Sequence, residues 1–408
     1  MLFTNLAQAS STAGEAGPRV GGVPIAFILF ACVLVGVALL HKHTMQVAVT
    51  GLVVITAFKL AFGFDLLDHL LHEWVVIANL FGLLCGFALL ADHFEKTNIP
   101  NVLPRWLPDN WTGGLALLVM VFVISSFLDN IAAAMIGGTV ARIVFKGRVH
   151  IGFLAAIVAA SNAGGCGSVV GDTTTTMMWI AGKSPLDVLH GYIAAVPALL
   201  VCGTIASVQQ DRYQRISKDE IGDTNVDYGR VGIVAALLGA AVAANVLVNM
   251  VFSEWSDSGP WIALALWAAI LATSPVRPVT WTLLPDAAKG AVFLLSLVLC
   301  ASMMPVSELP TASWKVSLGL GFLSAGFDNI PLTALALKQG GYDWGMLAYA
   351  VGFGGSMIWF GSSAGVALSN TFPEAKNAVA YVKNGWHVTL AYVIGFFTLY
   401  ALWGFHPN

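Results

Sequence analysis

Charge is what this chain has least of. Only 10% of its 408 residues are Asp, Glu, Lys or Arg, against 57% that are hydrophobic. A soluble domain carries about 25% charged residues to solvate its surface, so a soluble globule is excluded. The net charge of −3 offers no basic field of the kind nucleic acid requires. The five cysteines (Cys32, Cys85, Cys166, Cys202, Cys300) stand singly in apolar runs. They have no metal-centre or disulfide spacing and read as small buried hydrophobes. No nucleotide-binding P-loop and no HExxH occurs, which leaves a transport ATPase or an intramembrane metalloprotease without support. Neither an enzyme nor a bound cofactor is expected. The segment 1–20 lacks the basic region and apolar core of a signal peptide and reads as a polar tail.

Long apolar runs take the place of charge, each near the ~20 residues that cross a bilayer core. They predict spans at 21–40, 45–63, 74–91, 149–182, 188–207, 231–252, 259–274, 287–305, 345–373 and 385–404. The lipid bilayer is therefore the first partner. A multi-pass protein of a bacterial inner (cell) membrane is expected. Two further apolar stretches, 112–145 and 311–338, are interrupted midway by Asp129-Asn130 and Asp328-Asn329.

Inner loops are enriched in Lys and Arg, which makes the loop His41-Lys42-His43 cytoplasmic. Lys96 and Arg105 then precede the first interrupted stretch on the inside. Arg142, Lys146 and Arg148 stay inside only if 112–145 enters and returns on one face. The same walk makes 311–338 a hairpin from the opposite face.

The expected fold is an all-α polytopic membrane protein. It has about ten transmembrane helices plus two re-entrant hairpins, in two inverted repeats with broken helices. The first repeat, 21–208, holds hairpin 112–145 and broken helix 149–182. A cytoplasmic linker, 209–230, leads to the second, 231–408, with hairpin 311–338 and broken helix 345–373.

The repeat is visible in the motifs. SSFLDNIAAAMIGG (125–138) precedes AASNAGGCGSVVGDTTTTMMWIAG (159–182), and LSAGFDNIPLTALAL (323–337) precedes GGSMIWFGSSAGVALSNTFPEAKN (354–377). Asp129 lies 32 residues before Ser161, and Asp328 lies 34 before Ser362. Glycine weakens helices and admits a ligand to the backbone, and irregular backbone at membrane depth survives where it lines a cavity. The Ser/Gly-rich segments therefore read as unwound helices around a site.

An ionisable group in a span is expensive and reads as functional. Asp129, Asp172 and Asp328 are the candidates, as hard-oxygen ligands for a small cation or proton. Helix capping is the competing role for each. Asn130 and Asn329 are candidate carbonyl ligands. Ser161, Asn162, Thr173, Thr174, Ser362, Ser363, Asn370 and Thr371 are candidate lining groups. Sodium bound at Asp129 and Asp328, competing with protons, is the minimal exchange mechanism. A carboxylate anion would meet negative charge at both tips.

With these segments in view, the chain resembles the ion transporter superfamily over almost its full length. The tips 129–131 and 328–330 occupy the place of the Ser-Asn-Thr tips of sodium-coupled dicarboxylate transporters, with Asp where those have Ser. GDTTTTMMWI (171–180), DNIPLTA (328–334) and GSSAGVALSN (361–370) are more similar to the NhaD-type sodium/proton antiporters of that superfamily. The resemblance implies exchange of sodium or lithium for protons. It also implies a scaffold around a homodimer interface, and an elevator-like movement of hairpins and broken helices. The alternative it leaves open is sodium-coupled uptake of a di- or tricarboxylate.

Overall fold

The computed structural model describes residues 18–40, 43–168, 171–217, 225–252, 255 and 258–408. Most of the tail 1–20, the pair His41-Lys42 and the middle of the 209–230 linker lie outside the described residues.

Helices dominate because the apolar runs have no other way to satisfy their backbone in lipid. The first half supplies α1 (Ile25–Leu39), α2 (Thr44–Ala61), α3 (Leu66–Glu95), α4 (Trp111–Ser125), α5 (Asn130–Val144), α6 (Ile151–Gly165), α7 (Thr173–Ile180) and α8 (Tyr192–Tyr213). The second supplies α9 (Tyr228–Val246), α10 (Trp261–Thr273), α11 (Leu284–Ser302), α12 (Trp314–Ser324), α13 (Asn329–Gln339), α14 (Trp344–Gly354), α15 (Ser363–Thr371) and α16 (Trp386–Leu402). The strands among the described residues are Arg19–Val20 and Val23–Pro24, a small antiparallel turn ahead of α1.

The chain is an all-α, multi-pass membrane protein. Among the described residues, five helical runs are long and apolar enough to cross a membrane unaided: Thr44–Ala61, Leu66–Glu95, Pro185–Tyr213, Tyr228–Val246 and Trp281–Ser302. A sixth, Ala378–Asn384 with Trp386–Leu402, qualifies if its 58° bend is counted as one span. α1 and α10 have 15 and 13 residues. At 1.5 Å per residue they fall short of a ~30 Å hydrocarbon core. The remaining predicted spans are built from pieces. α6 and α7 are separated by 166–172, and α14 and α15 by 355–362. α4 turns into α5 through 126–129, and α12 into α13 through 325–328.

Packing sorts these helices into a frame and a central bundle. Phe30, Val33, Ile55 and Leu297 join α1, α2 and α11. Leu83, Leu89, Leu237, Leu266 and Ile270 join α3, α9 and α10. Each half thus gives three helices to the frame. The bundle of α4, α6, α8, α14 and α16 closes around Leu117, Phe153, Ala198, Tyr349 and Tyr392. Its buried tyrosines find partners, as buried hydroxyls must. Tyr349 donates to the Tyr392 carbonyl at 2.9 Å, and Tyr392 to the Leu318 carbonyl at 2.8 Å.

One rim of the bundle is tied by a buried acid. The Asp343 carboxylate caps α14, accepting from the Met346 N–H at 2.9 Å. It also accepts from His190 Nε2 at 2.7 Å and the His406 N–H at 2.9 Å. Burial alone would push its carboxyl up, but these donors outweigh burial and hold it below the usual carboxylate range. A lowered carboxyl stabilises the fold above its ordinary range, and that stability is lost as pH falls through the lowered value. Asp343→Asn is expected to cost about 1.5–3 kcal/mol, the worth of charged hydrogen bonds. Thermal unfolding in detergent should show the deficit near neutral pH and its progressive decline as pH falls below about 4.

Candidate functional site

The three aspartates singled out by the sequence all stand at the N-terminus of a helix. Asp129 Oδ1 accepts from the Ile131 N–H at 2.8 Å and caps α5. Asp328 Oδ1 accepts from the Ile330 N–H at 3.1 Å and caps α13. Asp172 caps α7 through the Thr174 N–H at 3.3 Å and also receives the Thr174 hydroxyl at 2.9 Å. Capping is therefore real for each. A carboxylate has about four lone-pair positions, so a cap still has oxygen to offer a ligand.

Ser362 makes a fourth such end, accepting from the Gly365 N–H at 3.3 Å and capping α15. Backbone angles pair these caps. Asp129 has φ −49° and ψ 139°, against −55° and 141° at Asp328. Asp172 has −145° and 144°, against −145° and 151° at Ser362. Asp172 thus corresponds to Ser362, whereas the spacing in the sequence matches Ser161 to Ser362. The reason is that α5 and α6 have 15 residues each and their counterparts α13 and α14 only 11.

Contacts obey the same correspondence. Ser125 donates to the Ser161 carbonyl at 2.5 Å, and Ser324 to the Val351 carbonyl at 2.7 Å. A Cβ on Gly164 would lie 2.1 Å from the Phe122 carbonyl oxygen, and one on Gly354 2.3 Å from that of Gly321. Glycine is needed at both places because backbone touches backbone. Carbonyls at the first break are taken by hydroxyls: Tyr192 and Ser126 donate to Gly164 O, and Thr175 to Ser168 O.

Asparagines lock the pieces together. Asn130 donates to Asn162 Oδ1 at 2.9 Å, and Asn162 donates to Ser356 Oγ at 2.9 Å. Asn329 donates to Asp172 Oδ2 at 3.4 Å, joining the second hairpin to the first broken helix. Asp328 Oδ2 accepts from Ser363 Oγ at 3.0 Å.

Two cavities reach the carboxylates. A cavity of about 10 Å³, the scale of one water-sized sphere, is lined by Asp129, Asp172, Thr173 and Thr176. Leu80, Leu83, Leu84 and Phe87 of α3 roof it. A second cavity, of about 670 Å³, is lined by Asp328, Ser363 and Asn370 together with Thr44 and Asp286 of the frame. Aspartates are the charged residues lining either cavity among the described residues.

The structure therefore gathers Asp129, Asp172 and Thr173 at one cavity, and Asp328, Ser363 and Asn370 at the other. Asn130, Asn162, Asn329 and Thr174 hold neighbouring groups. Ser161 and Ser362 are buried and serve backbone, Ser161 through Val158 O at 2.9 Å and Ser362 as a cap. Thr371 ends α15 and lines neither cavity. Sequence reasoning missed Ser125, Ser324, Ser356 and Thr176. A serine four residues before each Asp-Asn pair was a usable signal, as was Gly-Gly-Cys (164–166) beside Gly-Gly-Ser (354–356).

Electrostatics favour a cation. Each helix N-terminus carries roughly +0.5 of a charge. A carboxylate at the cap reverses that sign to about −0.5 at the ends of α5, α7 and α13.

Fold and site define a polytopic α-helical membrane protein with an acidic interior. No family model matches the chain. Its curated relatives include sodium/proton antiporter 1 of Arabidopsis thaliana, 27% identical over 69% of this chain and 52% of that protein. They also include the Na(+)/H(+) antiporter NhaD of Vibrio cholerae, 24% identical over 67% of each chain. An uncharacterized transporter of Mycobacterium tuberculosis is 24% identical over 84% of this chain and 89% of its own length. The chain thus spans about half the length of the Arabidopsis antiporter 1. These relatives, at 24–27% identity, are consistent with the ion transporter superfamily and its NhaD-like antiporters.

Proposed function

We propose that the chain is a secondary transporter that exchanges sodium or lithium for protons, working in a bacterial inner membrane. The observation that carries this reading is the acidic interior. Three aspartates cap helices directed at two cavities, and no Lys or Arg among the described residues lines either one.

The mechanism follows from charge balance. A bare carboxylate at membrane depth is costly, so one that releases sodium is stabilised by taking a proton. The two cations compete for the same oxygens, and either can be carried. In this conformer Asp328 meets the large cavity, whose rim includes Thr44 and Asp286 at the starts of α2 and α11. Positive-inside reasoning makes that rim cytoplasmic. Asp129 and Asp172 sit under α3. Carriage to the other face requires the hairpins and broken helices to move against the frame, as in an elevator. Inverted repeats, re-entrant hairpins and a homodimer through the frame belong to this proposal. A di- or tricarboxylate would fit 670 Å³ but would face only acidic charge there.

Everted vesicles carrying an imposed pH gradient test the reading. Sodium or lithium added to vesicles containing the chain should dissipate the gradient. Sodium that leaves the gradient intact, with sodium-dependent citrate or succinate uptake instead, would assign the chain to carboxylate symport.

A further inference from the structure

We propose that the large cavity at Asp328 binds hydrophobic organic cations of the aromatic quaternary ammonium class, which compete there with sodium. The competition rests on the exchange reading above, whereas the binding rests on the cavity alone. Its volume, about 670 Å³, falls within the roughly 300–1,000 Å³ of sites that hold drug-sized molecules. Sodium needs oxygens close around it, yet most of the side chains lining this cavity are apolar. Three of them are aromatic and arrive from separate elements. Phe293 comes from α11, Phe327 from the tip of the second hairpin and Phe360 from the second break. None of the three is fully buried, so each keeps surface to offer a guest.

The charge of the lining sets the sign of that guest. Asp286 at the rim is paired with Lys289 at 2.8 Å, which leaves Asp328 as the lining acid without a cationic partner among the described residues. Both Asp328 oxygens already accept hydrogen bonds, from the Ile330 N–H at 3.1 Å and the Ser363 hydroxyl at 3.0 Å. A quaternary ammonium donates no hydrogen bond, so it needs neither oxygen released. It asks only for negative charge nearby and for aromatic rings, whose faces attract a cation within about 6 Å.

The two acidic cavities differ in what they admit. The one at Asp129 and Asp172 measures about 10 Å³, space for about one water, and is too small for an organic ion. Aromatic cations are therefore confined to the Asp328 side. Gly290, in α11, offers a way to close that space. It lines the large cavity, and a Cβ added there would meet nothing within 4 Å. A longer side chain at 290 would occupy room the guest needs while every group of the lining stays in place.

Equilibrium dialysis of the purified chain in detergent, with radiolabelled benzyltrimethylammonium, tests the site without any transport step. Sodium should displace the label, and the neutral isostere neopentylbenzene should not. Asp328→Asn is expected to weaken binding roughly tenfold or more, and Phe293→Ala roughly three- to tenfold. Asp129→Asn should leave binding unchanged. If Phe293→Ala fails to fold, Gly290→Leu gives the second reading. It should weaken binding roughly threefold or more while thermal unfolding stays the same or rises, because leucine is the better helix former. Binding that survives both Asp328→Asn and Gly290→Leu, or that neopentylbenzene displaces equally, is partition into detergent and overturns the site. Binding that depends on Asp328 but ignores sodium overturns the competition. Wild-type vesicles with no sodium-driven proton movement overturn the exchange reading, and the dialysis result still decides the site.

Discussion

Asp172→Asn is expected to reduce sodium-driven proton movement to the level of vesicles lacking the chain, while the protein inserts and folds as before. Asparagine caps a helix about as well as aspartate, so α7 keeps its start. The remaining oxygen still accepts from the Thr174 N–H, and the new nitrogen can donate to the Thr174 hydroxyl, so the weak contact from Asn329 at 3.4 Å is the one lost. What disappears is the charge. Asp172 lies at the meeting of the two halves, lining the small cavity with Asp129 and held by a residue of the second hairpin. An amide there can neither release a proton nor balance sodium. Asp129→Asn and Asp328→Asn are expected to behave alike for the same reason. Size-exclusion profiles and thermal unfolding check the fold, and the vesicle assay checks the chemistry. Full exchange in all three asparagine variants would leave these residues as caps alone.

A methyl group at Gly164 is expected to have the largest structural effect. The added Cβ would lie 2.1 Å from the Phe122 carbonyl oxygen and 2.9 Å from Ser125 Cβ. The nearest obstacle is backbone, which cannot rotate away, so the first hairpin must lift off the broken helix. That would also strain the Ser125 bond to the Ser161 carbonyl. Overpacking of this kind costs about 1–3 kcal/mol or more, in addition to any bond lost. Gly164→Ala and its counterpart Gly354→Ala should both lower folded yield in detergent and abolish activity. A Cβ added to Gly319, inside α12, would meet nothing within 4 Å. Gly319→Ala should therefore be neutral, or stabilising by about 0.5–1 kcal/mol from helix propensity. Equal tolerance at Gly164 and Gly319 would show that the hairpin and the break are not in close contact.

The sequence announced this centre clearly, because its signals are local. Asp129-Asn130 and Asp328-Asn329 place a carboxylate midway along apolar runs, and capping chemistry made the helix starts at 130 and 329 readable. Gly164-Gly165 likewise marked the first break, whereas the second, 355–362, begins earlier than its Ser/Gly-rich stretch suggested, and 363–371 is helical. The register between the halves was not readable by spacing. Four extra residues in each of α5 and α6 shift Asp172, rather than Ser161, onto Ser362. Roles that depend on contact across the halves were also hidden. Ser356 looks like any small residue beside glycines until Asn162 is found 2.9 Å from its hydroxyl. Asp286 looks ordinary at the start of α11 until the packing of the frame sets it on the rim of the large cavity. Helix lengths were overread in a similar way. α1 and α10 are apolar enough to suggest full spans, but they end after 15 and 13 residues.

The central claim is that one set of carboxylates carries sodium and protons in turn. Purified protein in proteoliposomes with an acidic interior tests it most directly, by following radioactive sodium uptake and internal pH together. The account predicts that sodium enters as the interior becomes alkaline, and that both movements weaken when the imposed pH gradient is removed and only the sodium gradient drives them. Sodium entry that leaves internal pH unchanged, or that requires an external carboxylate, would contradict it.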